Sequence, residues 1–386
     1  MLHFVGRINR VQSSRATQNC THWLCLLTVF VLSFYLGCSA FRHAPHGETV
    51  EPKNNKTPLK AAPPKVISSI HNLPAPTILG VNYVGPIGRP GQGAGQFLRP
   101  VGLDLDHRGQ LYVADSGNNR IQVVGTDGNF IAEYGRHGWR TGEFDTPTDV
   151  AINFQRTELL YVADTGNSRV QYCNLVDRIF RIVVGSRLDY DLREGEENRA
   201  IELDLPEGVG IGRNGEVYTT DTGNHRFIQF DTDGLPAMIR GEFGRAMEQF
   251  RDPIDLVVDT RGNVYIVDSG NNRIKKYDFS GNLVQMWGIE GDALGQFREP
   301  SHIALDRWNY LYVTDGGNRR VQIFKGDGQP VMAFTSDELV EPTGIAISRD
   351  SRIFVSDIGT NSIQVFQVVY RPLETADNEE AAPLEK

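Results

Sequence analysis

Cysteine is scarce in this chain: four in 386 residues, and Cys20, Cys25 and Cys38 all fall in the first 38. Only Cys173 is left for the body of the protein, which excludes an internal disulfide framework there. No Cys-x-x-Cys or Cys/His spacing of a zinc module is present. A basic excess is also missing. The formal net charge is −9, and residues 1–76 hold eight Lys/Arg against two acids, which leaves about −15 for the rest. Nucleic acid binding needs a basic footprint, so the expectation is no nucleic acid partner. There is no nucleophile elbow, Walker loop or His-Glu-x-x-His pattern. The Gly-rich stretch 85–95 has the composition of a phosphate cradle but recurs later as a connector, so its glycines belong to the architecture. Long apolar runs are absent apart from one, Trp23 to Gly37, which is short for a membrane span.

What is present is repetition. Asp115-Ser-Gly-Asn118-Asn-Arg120 returns as Asp164-Thr-Gly-Asn167-Ser-Arg169, Asp221-Thr-Gly-Asn224-His-Arg226, Asp268-Ser-Gly-Asn271-Asn-Arg273 and Asp315-Gly-Gly-Asn318-Arg-Arg320. A worn copy is Asp357-Ile-Gly-Thr-Asn-Ser362, and the leading aspartates are 49, 57, 47, 47 and 42 residues apart. Each copy follows a β-rich stretch such as Leu111-Tyr-Val-Ala114 and precedes another such as Ile121-Gln-Val123. A short apolar strand opens each unit and a fourth closes it. Four short strands every 45 residues or so predict a six-bladed, all-β propeller of antiparallel blades over 77–370. Val81 to Gly88 matches the tail of an interior unit, while the last unit has only three strands, ending at Phe366. The N-terminal strand is therefore expected to complete the last blade and close the ring.

The Tyr-Val-Ala-Asp strand with its Asp-x-Gly-Asn-x-Arg-Ile-Gln turn resembles the NHL repeat. That resemblance covers about three quarters of the chain. It implies a six-bladed NHL-type propeller, a family that includes extracellular bacterial sensor and lipoprotein domains, RNA-binding and ubiquitin-ligase proteins, and the lyase of peptide amidation. The ligases carry a RING domain, for which this chain has no zinc spacing.

Residues 1–38 read as a signal peptide. Arg7, Arg10 and Arg15 precede the apolar run, and Leu36-Gly-Cys38-Ser resembles a bacterial lipoprotein cleavage box with Cys38 as the lipidated residue. Lipid anchoring, plain secretion and an uncleaved anchor all stay open. Ser39 leans toward the outer membrane if the cell has two. Residues 39–76 hold seven prolines with Lys and Asn and are expected to form a disordered tether. Residues 371–386 form an acidic tail, also expected to be disordered.

The repeated turn reads as structure. Asp and Asn bond their own backbone, Gly is expected to supply a positive φ, and Arg to reach a carboxylate. Functional signal is expected where the units differ. Two residues after the proline that opens each unit stand Gly102, Asp149, Gly208, Asp255, His302 and Gly344. Asp149, Asp255 and His302 should sit at one mouth of the central channel. They could hold a divalent cation, calcium or zinc, or simply hydrate the channel. The long connector 185–204 offers Arg187, Tyr190 and Arg193 as ligand contacts. His137, His225 and Trp308 are lesser candidates.

Two readings follow. In the first, an envelope-tethered or secreted monomeric ring binds a peptide, glycan or protein on its loop face. In the second, a metal-dependent propeller enzyme, similar to the amidation lyase or to gluconolactonase, uses the Asp/His group at the channel mouth.

Overall fold

The computed structural model describes residues 75–153, 158–184, 201–232 and 234–371. They form six antiparallel sheets of four strands each. Blade one runs from Pro100–Leu105, innermost, through Gln110–Asp115 and Arg120–Gly125 to Phe130–Tyr134, outermost. The innermost strands of the other blades are Pro147–Asn153, Pro206–Ile211, Pro253–Val258, Pro300–Leu305 and Pro342–Ile347. Among the described residues there is no α-helix.

Closure is as the sequence predicts. The first strand, Ile78–Ile87, lies antiparallel on the last, Ser362–Tyr370, with Ile78 opposite Tyr370 and Ile87 opposite Ile363. The Tyr83 hydroxyl adds a bond to Gln364 Oε1 at 2.9 Å. Blade six therefore takes its outermost strand from the start of the chain, and no seam is left in the ring.

The core is divided among the blade interfaces. Between blades one and two, for instance, Val113's neighbours Tyr112 and Ala114 pack with Phe144, Val150, Leu160 and Cys173. Equivalent clusters fill the other five interfaces. Alternation along each strand sends one face to each neighbouring blade, so both faces are apolar and no blade is stable alone. Cys173 is fully buried there, and burial pushes its thiol up to about 11.

Successive strands alternate in direction, which fixes two faces. The innermost strand leaves one face, called here the connector face, where the Asp-x-Gly-Asn-x-Arg turns also lie. It runs to the opposite, far face. Four of the connectors are pinned by a phenylalanine with no exposed surface, Phe97, Phe144, Phe250 or Phe297, and the one into blade six by Leu339.

Candidate functional site

The repeated turn is a hydrogen-bonded unit built on a fully buried aspartate. Asp115 Oδ1 accepts from the Leu98 amide at 2.7 Å. Its Oδ2 accepts from Asn118 Nδ2 at 2.9 Å, Arg120 Nε at 2.8 Å and Gln122 Nε2 at 3.0 Å. Arg120 Nη2 reaches the connector carbonyls of Gly93 at 2.8 Å and Gln96 at 3.1 Å, and Nη1 bonds Glu133 Oε2 at 2.9 Å. The Asp164, Asn167, Arg169 set repeats this, as do Asp221, Asn224, Arg226; Asp268, Asn271, Arg273; and Asp315, Asn318, Arg320. The aspartate thus ties the turn to the connector of its own blade.

One expectation about this turn needs correction. The glycine does not supply the positive φ. The residue two positions later does: Asn119, Ser168, His225, Asn272 and Arg319 have φ of 52–55°. Glycine is needed because the connector passes against it. A Cβ on Gly117 would lie 2.8 Å from Leu98 O, and one on Gly317 the same distance from Arg298 O.

Asp149, Asp255 and His302 do line one axial cavity of about 200 Å³, together with Asp104. They are not, however, polar groups at an open mouth. Asp149 and Asp255 are 5% exposed and His302 is 4% exposed. Nor do they form a cation site: among the described residues no three His, Cys, Asp or Glu side chains are placed to hold a metal ion. The carboxylates accept from backbone amides.

Each carboxylate stitches its blade to the next. Asp104 Oδ2 accepts from Ile152 N at 2.7 Å, Asp149 Oδ2 from Val209 N at 2.9 Å, and Asp255 Oδ2 from Ile303 N at 2.9 Å. These join blades one to two, two to three and four to five. The other three interfaces use a hydroxyl from the second strand. Thr220 Oγ1 donates to Ile254 O at 2.8 Å, Thr314 Oγ1 to Thr343 O at 2.6 Å, and Ser356 Oγ to Val101 O. Where the carboxylate serves, the hydroxyl position holds Ala114, Ala163 or Val267. Each of the six interfaces carries one stitch of these two kinds.

The stitches leave acids buried along the channel. Burial pushes Asp104 up to about 6 and Asp255 to about 7, against the lowering effect of their amide bonds. Asp149 is raised well above the ordinary range, first by burial and then by the Asp255 charge. His302 stitches nothing. Burial lowers it to about 4, and both ring nitrogens are buried with no hydrogen-bond partner. The Thr343 backbone opposes this by favouring the charged form. Asp104 was missed in the sequence because it lies two positions beyond the compared column. Ala, Gly or Val stands there in the other blades, so comparing that column too would have found it.

The remaining candidates fall elsewhere. Arg187, Tyr190 and Arg193 lie outside the described residues, as does Cys38. His225 occupies the left-handed turn position, with Nδ1 accepting from Asp252 N at 3.2 Å. His137 belongs to the bridge that closes its connector onto Phe144. Trp308 is half-buried at the far face with the Arg307 guanidinium 4.8 Å above its ring.

The connector face carries a different feature. Trp139 is 70% exposed, Phe243 and Met247 64%, and Ile289 63%. Phe243 and Met247 lie on the connector into blade four, and Ile289 and Leu294 on the next one round. On the two connectors that hold Phe243, Met247, Ile289 and Leu294 the acids Glu242, Glu248, Asp252, Glu290, Asp292 and Glu299 outnumber Arg245, Arg251 and Arg298, whereas Trp139 has the Arg140 guanidinium 5.6 Å over its ring.

Residues 97–124, 203–230 and 250–277 match the model of the NHL repeat. The chain is 48% identical over 52 residues to Protein lin-41 of Caenorhabditis elegans, a match covering 13% of this chain and 4% of that protein. It is 41% identical over 69 residues to E3 ubiquitin-protein ligase TRIM71 of Rattus norvegicus, covering 16% and 8%. It is 24% identical over 140 residues to Protein brain tumor of Drosophila melanogaster, covering 36% and 12%. The chain therefore spans at most about an eighth of these relatives. Among solved structures it resembles the PQQ-bound aldose sugar dehydrogenase of Streptomyces coelicolor, with a TM-score of 0.54 and 16% identity over 76% of this chain and all of that one. It also resembles a catalytically inactive virginiamycin B lyase of Staphylococcus aureus with quinupristin, at 0.50 and 14% over 75% and 99%. At such identities the likeness is one of fold.

Proposed function

We propose that this chain, a six-bladed NHL-repeat β-propeller, is a binding module that holds a polypeptide partner on its connector face. One observation carries the reading: the large apolar side chains of Phe243, Met247, Ile289 and Trp139 stand more than half exposed on that face. Aromatic and methionine side chains left in water on a rigid scaffold are the anchors of protein recognition. The acidic excess on the connectors of Phe243, Met247 and Ile289 favours a partner segment that carries Lys or Arg beside its own apolar residues. A glycan would be met by aromatic platforms without that charge bias, which is why a polypeptide is the preferred ligand. NHL propellers generally serve protein interaction, which agrees. The channel acids do not favour an enzymatic reading, because Oδ2 of each bonds an amide of the next blade.

The N-terminal segment sets the place of action in this proposal. Its basic stretch, apolar run and Cys38 would deliver a monomeric ring to the cell envelope, held by lipid or by the segment itself. The test is selection of displayed peptides on the full chain, followed by titration of a selected peptide. Phe243→Ala with Met247→Ala should weaken binding at least about tenfold, as loss of a hot-spot pair does. Selection of peptides without basic residues, or binding indifferent to both substitutions, would reject this face.

A further inference from the structure

His302 is the one side chain in its column that the architecture does not call for. Blade five is joined to blade six by Thr314, whose hydroxyl donates to the Thr343 carbonyl at 2.6 Å. The two other blades that use a hydroxyl stitch, three and six, carry Gly208 and Gly344 where blade five carries His302. Asp149 and Asp255 stand in that column as stitches. His302 has no such duty, yet it is 4% exposed, and neither ring nitrogen has a hydrogen-bond partner among the described residues. The Thr343 carbonyl, which favours its charged form, already accepts from the Thr314 hydroxyl and, at 3.0 Å, from that of Ser301. A neutral imidazole has one donor and one acceptor to satisfy. Leaving both unmet in the interior is costly, so such a ring in a native fold marks a place where something else bonds to it.

The chemistry around it narrows what that is. Besides His302, the ionisable residues lining the axial cavity are Asp104, Asp149 and Asp255, with no lysine or arginine among them. In addition to the stitches from Oδ2, Asp104 Oδ1 accepts from Leu105 N and Asp255 Oδ1 from Leu256 N, both at 2.7 Å. A carboxylate offers about four acceptor positions, so roughly half of each stays unused. The acids also act on one another: Asp255 and Asp104 raise Asp149, and Asp104 raises Asp255. Water alone would satisfy the imidazole but would leave that mutual repulsion unanswered. A bare metal ion needs donors converging at about 2.0–2.6 Å, and no three described side chains converge so. An ammonium group asks less, since its three N–H donors reach separate acceptors at hydrogen-bond distance. Toward the far face the cavity is bounded by the half-buried apolar residues Ile211, Val258 and Leu305. Its volume of about 200 Å³ is that of roughly six waters, at ~30 Å³ each.

We propose that the axial cavity binds a small primary ammonium compound, its cation held by Asp149, Asp255 and a ring nitrogen of His302, and its short alkyl body set against the apolar residues toward the far face. Burial keeps the imidazole neutral, which leaves one ring nitrogen free to accept from the ammonium. The other nitrogen is then an N–H and donates to a water or to a hydroxyl of the ligand. Asp104, two residues further along its strand, adds its negative charge from deeper in the cavity. Charge-assisted hydrogen bonds to buried carboxylates are among the stronger ones available, so the cation supplies most of the affinity. No bond is made or broken here, and the stitches that join the blades stay in place. The site is separate from the connector-face surface and does not depend on what that surface holds.

Calorimetric titration of the full chain with n-propylammonium chloride, 1-propanol, tetramethylammonium chloride and calcium chloride tests it. Propylammonium should bind at least about tenfold more tightly than propanol, which lacks the charge, and than tetramethylammonium, which lacks the N–H donors. Asp149→Asn with Asp255→Asn neutralises the two acids while keeping an oxygen for the Val209 and Ile303 amides. It should weaken propylammonium by about tenfold or more. Should that pair unfold the ring, His302→Gly decides alone. It installs the residue that blades three and six already use, so the ring should still melt cooperatively, and propylammonium should bind several-fold more weakly. Three results would overturn the proposal. The first is no binding of propylammonium beyond that of propanol, which makes the cavity a water site only. The second is calcium bound tightly where propylammonium is not. The third is a propylammonium affinity that His302→Gly leaves unchanged. Titration with a selected peptide reads the connector face separately, so failure of either proposal is distinguishable from failure of the other.

Discussion

A side chain on Gly102 would stand 2.6 Å from the Cα of Asp149 in the next blade and 2.7 Å from the Thr148 carbonyl. Gly208 meets Asp255 in the same way, with its Cβ 2.7 Å from the Asp255 Cα. The column that opens the innermost strands is thus in part a packing pattern: Gly102 and Gly208 make room for the acid of the following blade, while Gly344 makes room for the Val101 carbonyl of blade one. Gly102→Ala should force blades one and two apart and disturb the Asp149–Val209 stitch. The expected cost is about 1–3 kcal/mol, as for an overpacked core. Urea denaturation checks it, with Gly109→Ala as a control for backbone strain alone, since Gly109 has a positive φ and nothing within 4 Å of its Cβ.

The channel groups make stability depend on pH in opposing directions. Asp104, Asp149 and Asp255 have raised values in the folded state, so between about pH 4 and 7 the folded chain holds protons that the unfolded chain has released. Their contribution to stability therefore falls as pH rises through that window. His302, lowered to about 4 from 6.5, acts oppositely and adds stability as pH rises from about 4 to 6.5. Above pH 6.5 only the acids remain in play. The melting temperature should decline from pH 6.5 to 8, and Asp255→Asn should flatten that decline. Because an amide oxygen cannot serve both Leu256 and Ile303 as well as the carboxyl does, the variant should melt below the wild type at pH 5. Parallel curves for the two proteins would refute the assignment.

Number and closure of the blades could be read from the chain because both are local. The Asp-x-Gly-Asn-x-Arg phrase recurs within each unit, and the segment around Tyr83 resembles an interior tail. The identity of the channel residues was also readable, as the column holding Asp149, Asp255 and His302. Their role was not. Asp104, Asp149 and Asp255 bond amides 48, 60 and 48 residues away, in another copy of the repeat. Comparing copies with one another cannot reveal a bond between copies. The trace it leaves is a complementarity between strands: Ala114, Ala163 and Val267 where a carboxylate stitches, Thr220, Thr314 and Ser356 where a hydroxyl does. The turn glycine misled for a similar reason. The need for Gly117 is set by the Leu98 carbonyl passing beside it and not by its own φ.

Lys275 replaces the glutamine found at the equivalent positions Gln122, Gln171, Gln322 and Gln364. Its side chain is fully buried, with Nζ donating to Gln249 O and lying 3.8 Å from the centre of the Phe250 ring. Burial lowers the amine to about 8, with the Asp268 charge opposing. A depressed lysine costs stability at neutral pH, where it is charged in both states, and regains it as pH rises from about 8 to 10.5. Lys275→Gln keeps the donor to Gln249 O and removes the buried charge. It should stabilise the ring by about 1 kcal/mol at pH 7, once solvent screening is allowed for, with the advantage shrinking above pH 9. Thermal melts at pH 7 and 10 measure both effects.

Arg169 offers the sharpest test of the repeated turn, because it alone among the turn arginines has a side chain only 1% exposed. Its Nε donates to Asp164 Oδ2 at 2.7 Å, and Nη2 reaches the carbonyls of Arg140 and Glu143 at 2.8 and 3.0 Å. Burial raises Asp164, and the arginine with Asn167 and the Asp145 amide holds it back. Arg169→Ala would leave that carboxylate buried with its counter-charge gone and would take a donor from two connector carbonyls, of which Glu143 O keeps its bond from Gln171 Nε2 at 2.8 Å. The expected loss is about 3–5 kcal/mol. Arg226→Ala, whose side chain is 25% exposed, should cost less, since water can replace part of what is removed. Adding Asp164→Asn to Arg169→Ala should recover part of the loss, because a neutral amide is cheaper to bury than an unpaired charge. If the double variant is no more stable than the single, the turn is held by its shape and not by the buried ion pair.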